Sequence, residues 1–286
     1  MSTPRNQSVF KAFAMLKSFR RPDEWVTSSE LSRRANLPEA SGYRLIQTLE
    51  EIGAVVRGPR GKYRPGLLLV ALSQNVVVSE LLHEASQSIA DDLAKRLTVT
   101  VHLGLLEGGM VTYVTKATTP DSFTTHTRAG SQLEAYCSAV GKVLLADLPR
   151  EQLENSVLDN ELVALTPHTI TDHDALRSHL ETVREQGFAV DDREARVDMC
   201  CIAVPVRDGY GRTVAAMSAT DSAEAMTPER QAMLRDGLLE AAEALSRKVY
   251  PAAPSMREPT SAAGKSAATT SGAPGRFKRV EQRLGA

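Results

Sequence analysis

The stretch that decides the fold is SSELSRRANLPEASGYRLIQTLEEIGAVVRGPRGKYRPG, residues 28–66. It holds two short amphipathic runs, a turn at Asn36-Leu37-Pro38, and two short extended runs around Gly58-Pro59-Arg60-Gly61. Thr27 with Glu30 makes a capping box, which starts a helix that reaches about Ala35. A second helix is expected over 39–52, closed by Gly53, with Tyr43, Leu45, Ile46, Leu49 and Ile52 as its buried side. Residues 54–57 and 62–64 read as strands of a hairpin. Upstream, 7–20 reads as a helix with Val9, Phe10, Phe13, Leu16 and Phe19 at helical steps, stopped by Pro22.

Two helices across a tight turn, followed by a basic hairpin, are the parts of a winged helix-turn-helix. The major groove admits one helix, whose N-terminal end meets base edges while its partner braces the backbone. The entering end is Glu39, Ala40, Ser41, Gly42, Tyr43 and Arg44. Arg33 and Arg34 lie on the bracing helix and can meet phosphate, and Ser28 opens that helix. Arg57, Arg60, Lys62 and Arg64 decorate the wing. Most such contacts would position the protein rather than specify sequence. The competing reading is a solvated arginine face on an ordinary three-helix domain.

Charge agrees with the first reading. Residues 1–66 hold 12 Lys/Arg against 6 Asp/Glu, a net +6, whereas 67–250 is net −11 and 251–286 is net +4. A basic module on an acidic body points to a polyanionic partner. The 286 residues are too many for one average domain and suit two. Three cysteines, two of them adjacent, make no disulfide framework, so a reduced setting is expected. No apolar run spans a bilayer, and the opening MSTPRNQSVFKAF is not read as a secretory signal. A cytoplasmic protein with no membrane partner is the expectation.

Beyond the hairpin, 67–78 reads as an apolar linking helix and 81–97 as a long one. Strands are expected at 98–106 and 110–116 across Glu107-Gly108-Gly109, with a further possible strand at 122–128. Helices follow at 138–146, 150–157 and 172–186, then strands at 188–191, 201–207 and 213–220. A closing helix covers 227–248 with Pro228 in its first turn. From Pro251 the Ala/Ser/Thr/Gly/Pro composition cannot bury enough apolar surface to offset ordering entropy, and a disordered tail is expected.

The residues quoted above resemble the N-terminal domain of the IclR family of bacterial transcription regulators. The likeness continues through VHLGLLEGGMVTYVTKA, AGSQLEAYCSAVGKVLLADLP, LTPHTIT and the run from GFAVDD to CIAVPV, covering about residues 6–248. It implies an α+β protein: a winged helix-turn-helix over 1–66, a linker helix over 67–80, and a GAF-like effector domain over 81–250, an antiparallel sheet flanked by helices. Family members usually work as homodimers or homotetramers on palindromic operators in double-stranded DNA. They repress or activate catabolic genes, and a small organic or aromatic acid changes the outcome. Where relatives often carry a basic residue and Ser-Thr, Glu39, Ala40, Ser41 and Gly42 stand here. Gly42 costs about 1 kcal/mol against Ala in a helix.

The resemblance carries effector contacts to Thr125, Leu133, Ala139, Val140, Asp191, Cys201, Ser218 and Thr220. Hydroxyls and the backbone N–H groups that open the 138–146 helix suit a carboxylate, and Leu133, Val140 and Ile202 would cover an apolar body. Ser218 and Thr220 alternate on one strand and share a face. Asp191 and Asp192 fall on opposite faces, so they make no carboxylate pair, and Asp191 is expected to fix the loop that closes the pocket. Ordinary strand hydroxyls and a small buried thiol are the alternative for Ser218, Thr220 and Cys201.

Other chemistries are set aside. Cys137 with His102 or His126 could be drawn as nucleophile and base, but nothing orders them and no third residue is evident. Cys200-Cys201 lack the reach of a zinc pair, and His168, His173 and His179 are scattered. No phosphate-binding GxxxxGK[ST] occurs. The expectation is a regulator with no catalytic residues, no metal and no cofactor.

Overall fold

The computed structural model describes residues 6–21, 24–158 and 160–250. The expected tail over 251–286 and the helix stop at Pro22 lie outside the described residues.

The N-terminal part opens with α1 (Gln7–Lys17), capped by the Asn6 side chain on the Ser8 and Val9 amides. It ends at Lys17 rather than Arg20, because the Ser18 Oγ donates back to the Ala14 carbonyl at 2.8 Å and closes the turn. Its buried face also differs from the expected one. Met15 is fully buried while Val9 and Phe13 are exposed, since the stripe that meets the core runs through Ala12, Met15, Leu16 and Phe19. Then come β1 (Val26–Thr27), α2 (Ser28–Arg34), α3 (Glu39–Glu51), β2 (Val55–Arg57) and β3 (Lys62–Pro65). The Thr27 hydroxyl caps α2 on the Glu30 amide, but the other half of the capping box does not form, because the Glu30 carboxylate accepts from Arg33 and Arg34 instead. Asn36 takes a left-handed conformation at φ 53° and lets the chain reverse between α2 and α3. In α3 the buried residues are Gly42, Ile46 and Leu49, whereas Tyr43 and Ile52 face outward, contrary to expectation. The wing hairpin forms as read, and β1 joins it as a third strand in the order β1-β3-β2. A two-residue strand leaves too short an alternation to be seen in the sequence.

The apolar run after Gly66 is not one helix to Val78. α4 (Leu67–Ser73) stops, and α5 (Val78–Leu97) starts afresh at 56° to it. The amides of Asn75 and Val76 bond back three residues, to Leu72 and Ser73, so the last turn tightens and ends. Val76, Val77 and Val78 are β-branched and resist continuation. No single described helix is long and apolar enough to cross a membrane.

The larger part is a six-stranded antiparallel sheet in the order β6-β5-β4-β9-β8-β7. Its strands are β4 (Thr100–Glu107), β5 (Met110–Ala117), β6 (Gln132–Glu134), β7 (Ala189–Asp192), β8 (Met199–Arg207) and β9 (Thr213–Ser222). β4 and β5 turn through Gly108 and Gly109, both at positive φ, as the Gly-Gly pair demands. Residues 122–128 are not a strand. The Lys116 ammonium draws the Thr125 and Thr127 carbonyls off the sheet, each at 2.8 Å, and Gln132–Glu134 takes the β5 edge instead. Side chains alternate through the sheet. One set (Val101, Leu103, Ile202, Val204, Met217) packs under α5 and α9 (Pro228–Val249). The other face is covered by α6 (Ala139–Ala146), and α8 (His173–Gln186) packs in turn against α6. Between these two helices lies α7 (Arg150–Leu153), shorter than the 150–157 expected, and it runs into a π-type turn over Glu154–Leu158.

Candidate functional site

Two surfaces carry the residues singled out in the sequence. The first is the outer face of α2, α3 and the wing. α3 reaches α2 closely because residue 42 is glycine: a Cβ there would overlap the Ser32 Oγ. Ser32 is itself pinned, donating to the Ser28 carbonyl at 2.7 Å. Ala40, Tyr43 and Arg44 stand exposed on α3, and Ser41 is half-buried. Arg33 is exposed beside Glu30, at 2.7 Å. Arg60 sits at the wing tip in a left-handed conformation, φ 57°, with Lys62 exposed after it.

Two of the expected contacts, Arg34 and Gly42, belong elsewhere, and Glu39 has a second task. Arg34 is turned inward. It reaches Glu30 at 2.8 Å, Glu24 at 3.0 Å and the Ser18 carbonyl at 3.0 Å, and only 17% of its side chain is exposed. It fastens α2 to α1 and offers no free charge to a phosphate. Gly42 is buried in the helix–helix contact and is no surface residue. Glu39 accepts from the Ser29 hydroxyl, so its carboxylate ties the start of α3 to α2. Trp25 was missed. The space of an absent Gly58 side chain is filled by its ring, and the Arg64 guanidinium lies 4.8 Å over that ring. This packing sets the angle of the wing and holds Arg64 as a cation–π partner. The sequence signal was only that residue 25 is the sole tryptophan.

The second surface is a cavity of about 320 Å³ between the sheet and the N-terminal end of α6. Strand register builds its floor. Asp191 pairs with Cys201, and Cys201 with Thr220, which sets one row across β7, β8 and β9. Ser218 pairs with His102 on β4, two residues along, which sets the next row. Thr125 comes from the loop rather than from a strand, while Leu133 on β6 and Ala139 and Val140 on α6 close the sides. All eight residues named for this site line one cavity. Ile202 does not join them. It alternates to the opposite face and packs in the core under α5 and α9.

His102, Tyr113 and Arg196 line the cavity too and were not foreseen there. The His102 and Tyr113 rings are 4.8 Å apart, and His102 Nε2 is hydrogen-bonded to the Thr127 hydroxyl at 2.6 Å. Burial, and then the Lys116 charge, push the His102 pKa down to about 3, so the ring is neutral. Burial likewise raises Tyr113 above the usual phenol range. The Arg196 guanidinium is spent on Asp198, at 2.7 and 3.0 Å. His102 is found by register and Arg196 by a loop, neither of which a local pattern reveals, whereas Tyr113 sits on the local hairpin of β4 and β5.

Asp191 is 1% exposed, and its Oδ1 accepts the amides of Glu194 at 2.7 Å and Ala195 at 3.3 Å. It fixes the loop over the cavity, the role its strand position suggested. Burial raises its pKa to about 7 against the opposing pull of Lys142. On α6 itself, Lys142 is fully buried, paired with Glu194 and donating to the Val190 carbonyl at 2.6 Å. Thr166 and Thr169 of the LTPHTIT run hold the same loop, donating to the Arg193 and Glu194 carbonyls respectively, each at 2.7 Å. α6 and the loop are thus tied together by side chains from three elements.

Chemically the cavity offers hydroxyls, a neutral imidazole and open amides. The Ser138 hydroxyl caps α6 on the Gly141 amide. The amides of Ala139 and Val140 precede the intrahelical ladder, and both residues line the cavity. An anion is favoured at such a helix start. Cys137 is not set against a base among the described residues: its thiol, the pKa pushed up to about 12 mainly by burial, packs in the apolar cluster and hydrogen-bonds the Glu134 carbonyl. Cys201 meets the Thr220 hydroxyl at 3.2 Å, and burial raises its pKa as well. Among the described residues no group of three or more His, Cys, Asp or Glu could hold a metal ion.

Comparison with known proteins joins the two surfaces. Residues 74–247 match the model of the bacterial transcriptional regulator IclR C-terminal domain, and residues 8–59 match that of the IclR helix-turn-helix domain. The transcriptional regulator XynR of Escherichia coli K12 is 32% identical over 251 residues, 87% of this chain and 100% of that protein. The regulator KdgR of the same organism is 32% identical over 74% of this chain and 80% of its own length. The crystal structure of Thermotoga maritima IclR superposes with a TM-score of 0.56 at 31% identity, over 85% of this chain and 98% of that one.

Proposed function

Because the chain belongs to the IclR family of bacterial transcriptional regulators, which are DNA-binding proteins and not enzymes, we propose that its grip on an operator is changed by a small carboxylic acid seated in the cavity. Residues 1–66 bind a palindromic operator in double-stranded DNA, 67–80 link, and 81–250 sense the effector and assemble the oligomer. The regulated genes are catabolic, and the action is repression rather than activation. The protein works in the cytoplasm.

The observation that carries this reading is the cavity itself. It brings the N-terminal end of α6 together with two strand rows, Ser218 with His102 and Thr220 with Cys201, whose side chains supply two hydroxyls, an imidazole and a thiol. The amides suit the carboxylate of an organic or aromatic acid, the hydroxyls suit its polar substituents, and Leu133 and Val140 cover its body. A homodimer or homotetramer is supported by α4, where Leu67, Val70 and Leu72 are exposed. Such apolar faces are commonly covered by a second copy.

The test is titration of a promoter fragment with the full chain in the presence of a panel of small carboxylic acids. An acid that shifts the wild-type midpoint should leave Ser218→Ala unmoved, with operator affinity unchanged in that variant. An acid effect that survives both Ser218→Ala and Thr220→Ala places the effector outside the cavity.

A further inference from the structure

Four exposed residues of α3 form one stripe. Ala40, Tyr43, Arg44 and Gln47 fall at steps of three and four, on the side away from the buried Gly42, Ile46 and Leu49. Arg44 and Gln47 are the two in this stripe whose side chains present a planar pair of polar groups. Neither has a side-chain hydrogen bond or ion pair among the described residues. Their neighbours are already occupied: the Thr48 hydroxyl donates to the Arg44 carbonyl at 3.1 Å, and Glu39 holds Ser29.

We propose that Gln47 reads an adenine in the operator, one or two base pairs from the base met by Arg44. The inference rests on the DNA-binding reading above. A glutamine amide offers one donor and one acceptor at the spacing of adenine N7 and N6, while a guanidinium matches guanine O6 and N7. Three residues of helix rise about 4.5 Å, and successive bases lie about 3.4 Å apart on one strand. Gln47 therefore meets a base pair neighbouring that of Arg44 when α3 lies in the major groove. A free amide on this face is poorly suited to phosphate, where a cation would do more.

Selection of bound duplexes from a randomised library, followed by sequencing, tests the assignment with the full-length chain. Wild type should enrich adenine at one position of each half-site. Gln47→Ala should lose about tenfold of that preference while retaining the preference set by Arg44. Gln47→Arg should move the preference at the same position from adenine to guanine, which a merely structural residue would not do. Gln47 is exposed, so both variants keep the fold. An unchanged preference in Gln47→Ala, or binding weakened equally across all sequences, overturns the assignment. If wild type itself selects nothing, the reading of the chain as a sequence-specific binder fails first and takes this with it.

Discussion

Gly42 of α3 lies against Ser32 of α2 so closely that any side chain at residue 42 would overlap the serine hydroxyl. A glycine that weakens its own helix is kept by the approach of another. Gly42→Ala should therefore destabilise the N-terminal module by about 1–3 kcal/mol, although alanine is the better helix former. Urea unfolding checks this, with DNA affinity falling in step. A variant as stable as wild type would mean that α2 and α3 separate easily.

Arg34 and Arg44 should behave oppositely. Arg34→Ala strips Glu24 and Glu30 of a largely buried partner and should cost stability on the order of 2–3 kcal/mol. Arg44→Ala should leave stability alone and weaken operator binding by about 1–3 kcal/mol. Thermal unfolding and DNA titration of both variants separate the roles. Equal losses of binding with equal stability would return Arg34 to the interface.

Lys142→Met leaves Glu194 buried without its cation, and the loop over the cavity loses one tie. Breaking a buried pair on one side costs about 3–5 kcal/mol, whereas replacing both partners by apolar groups of similar volume is often close to neutral. Denaturant unfolding of Lys142→Met, and of the double variant with Glu194→Met, should show this pattern. A single variant no weaker than the double would remove the pair from the support of the loop.

The raised pKa of Asp191 makes a pH prediction with a definite sign. Its carboxyl is held up to about 7 by burial, against the ordinary aspartate value of 3.8. Below pH 4 it is protonated in both states and contributes no pH dependence. Between pH 4 and 7 the unfolded chain releases the proton and the folded chain keeps it, so stability falls as pH rises. The limiting slope is about 1.4 kcal/mol per pH unit. Wild type should lose stability relative to Asp191→Asn across that window. The comparison removes the opposite contribution of His102, which persists in the variant. Parallel stability curves for the two proteins would contradict the buried carboxyl.

The winged helix was legible because its parts are local: a cap at Thr27, a turn at Asn36, a hairpin at Gly58–Gly61. The helix faces were less so. Aromatic residues at Phe13 and Tyr43 suggested burial, but Met15 and Gly42 occupy those contacts. Arg34 is chemically a fine phosphate partner, and only the position of Glu24 reveals that its charge is used. In the larger part, the sheet face shared by Ser218 and Thr220 followed from alternation. Ile202 needed only the same alternation, since its neighbour Cys201 faces the cavity and adjacent residues of β8 point to opposite faces. His102 reaches the row of Ser218 through the pairing of β4 with the distant β9, which no window of sequence contains, whereas Tyr113 comes from β5 across the local hairpin.

One experiment bears on the whole proposal: equilibrium binding of the full chain to its own upstream promoter fragment and to a scrambled duplex of equal length. It should be run at two salt concentrations, with and without small carboxylic acids. The expected result is tighter binding to the promoter, affinity that falls as salt rises, and a midpoint that one acid shifts in wild type but not in Ser218→Ala. Equal affinity for both duplexes, unmoved by any acid, would contradict a cationic reading head governed by a ligand cavity.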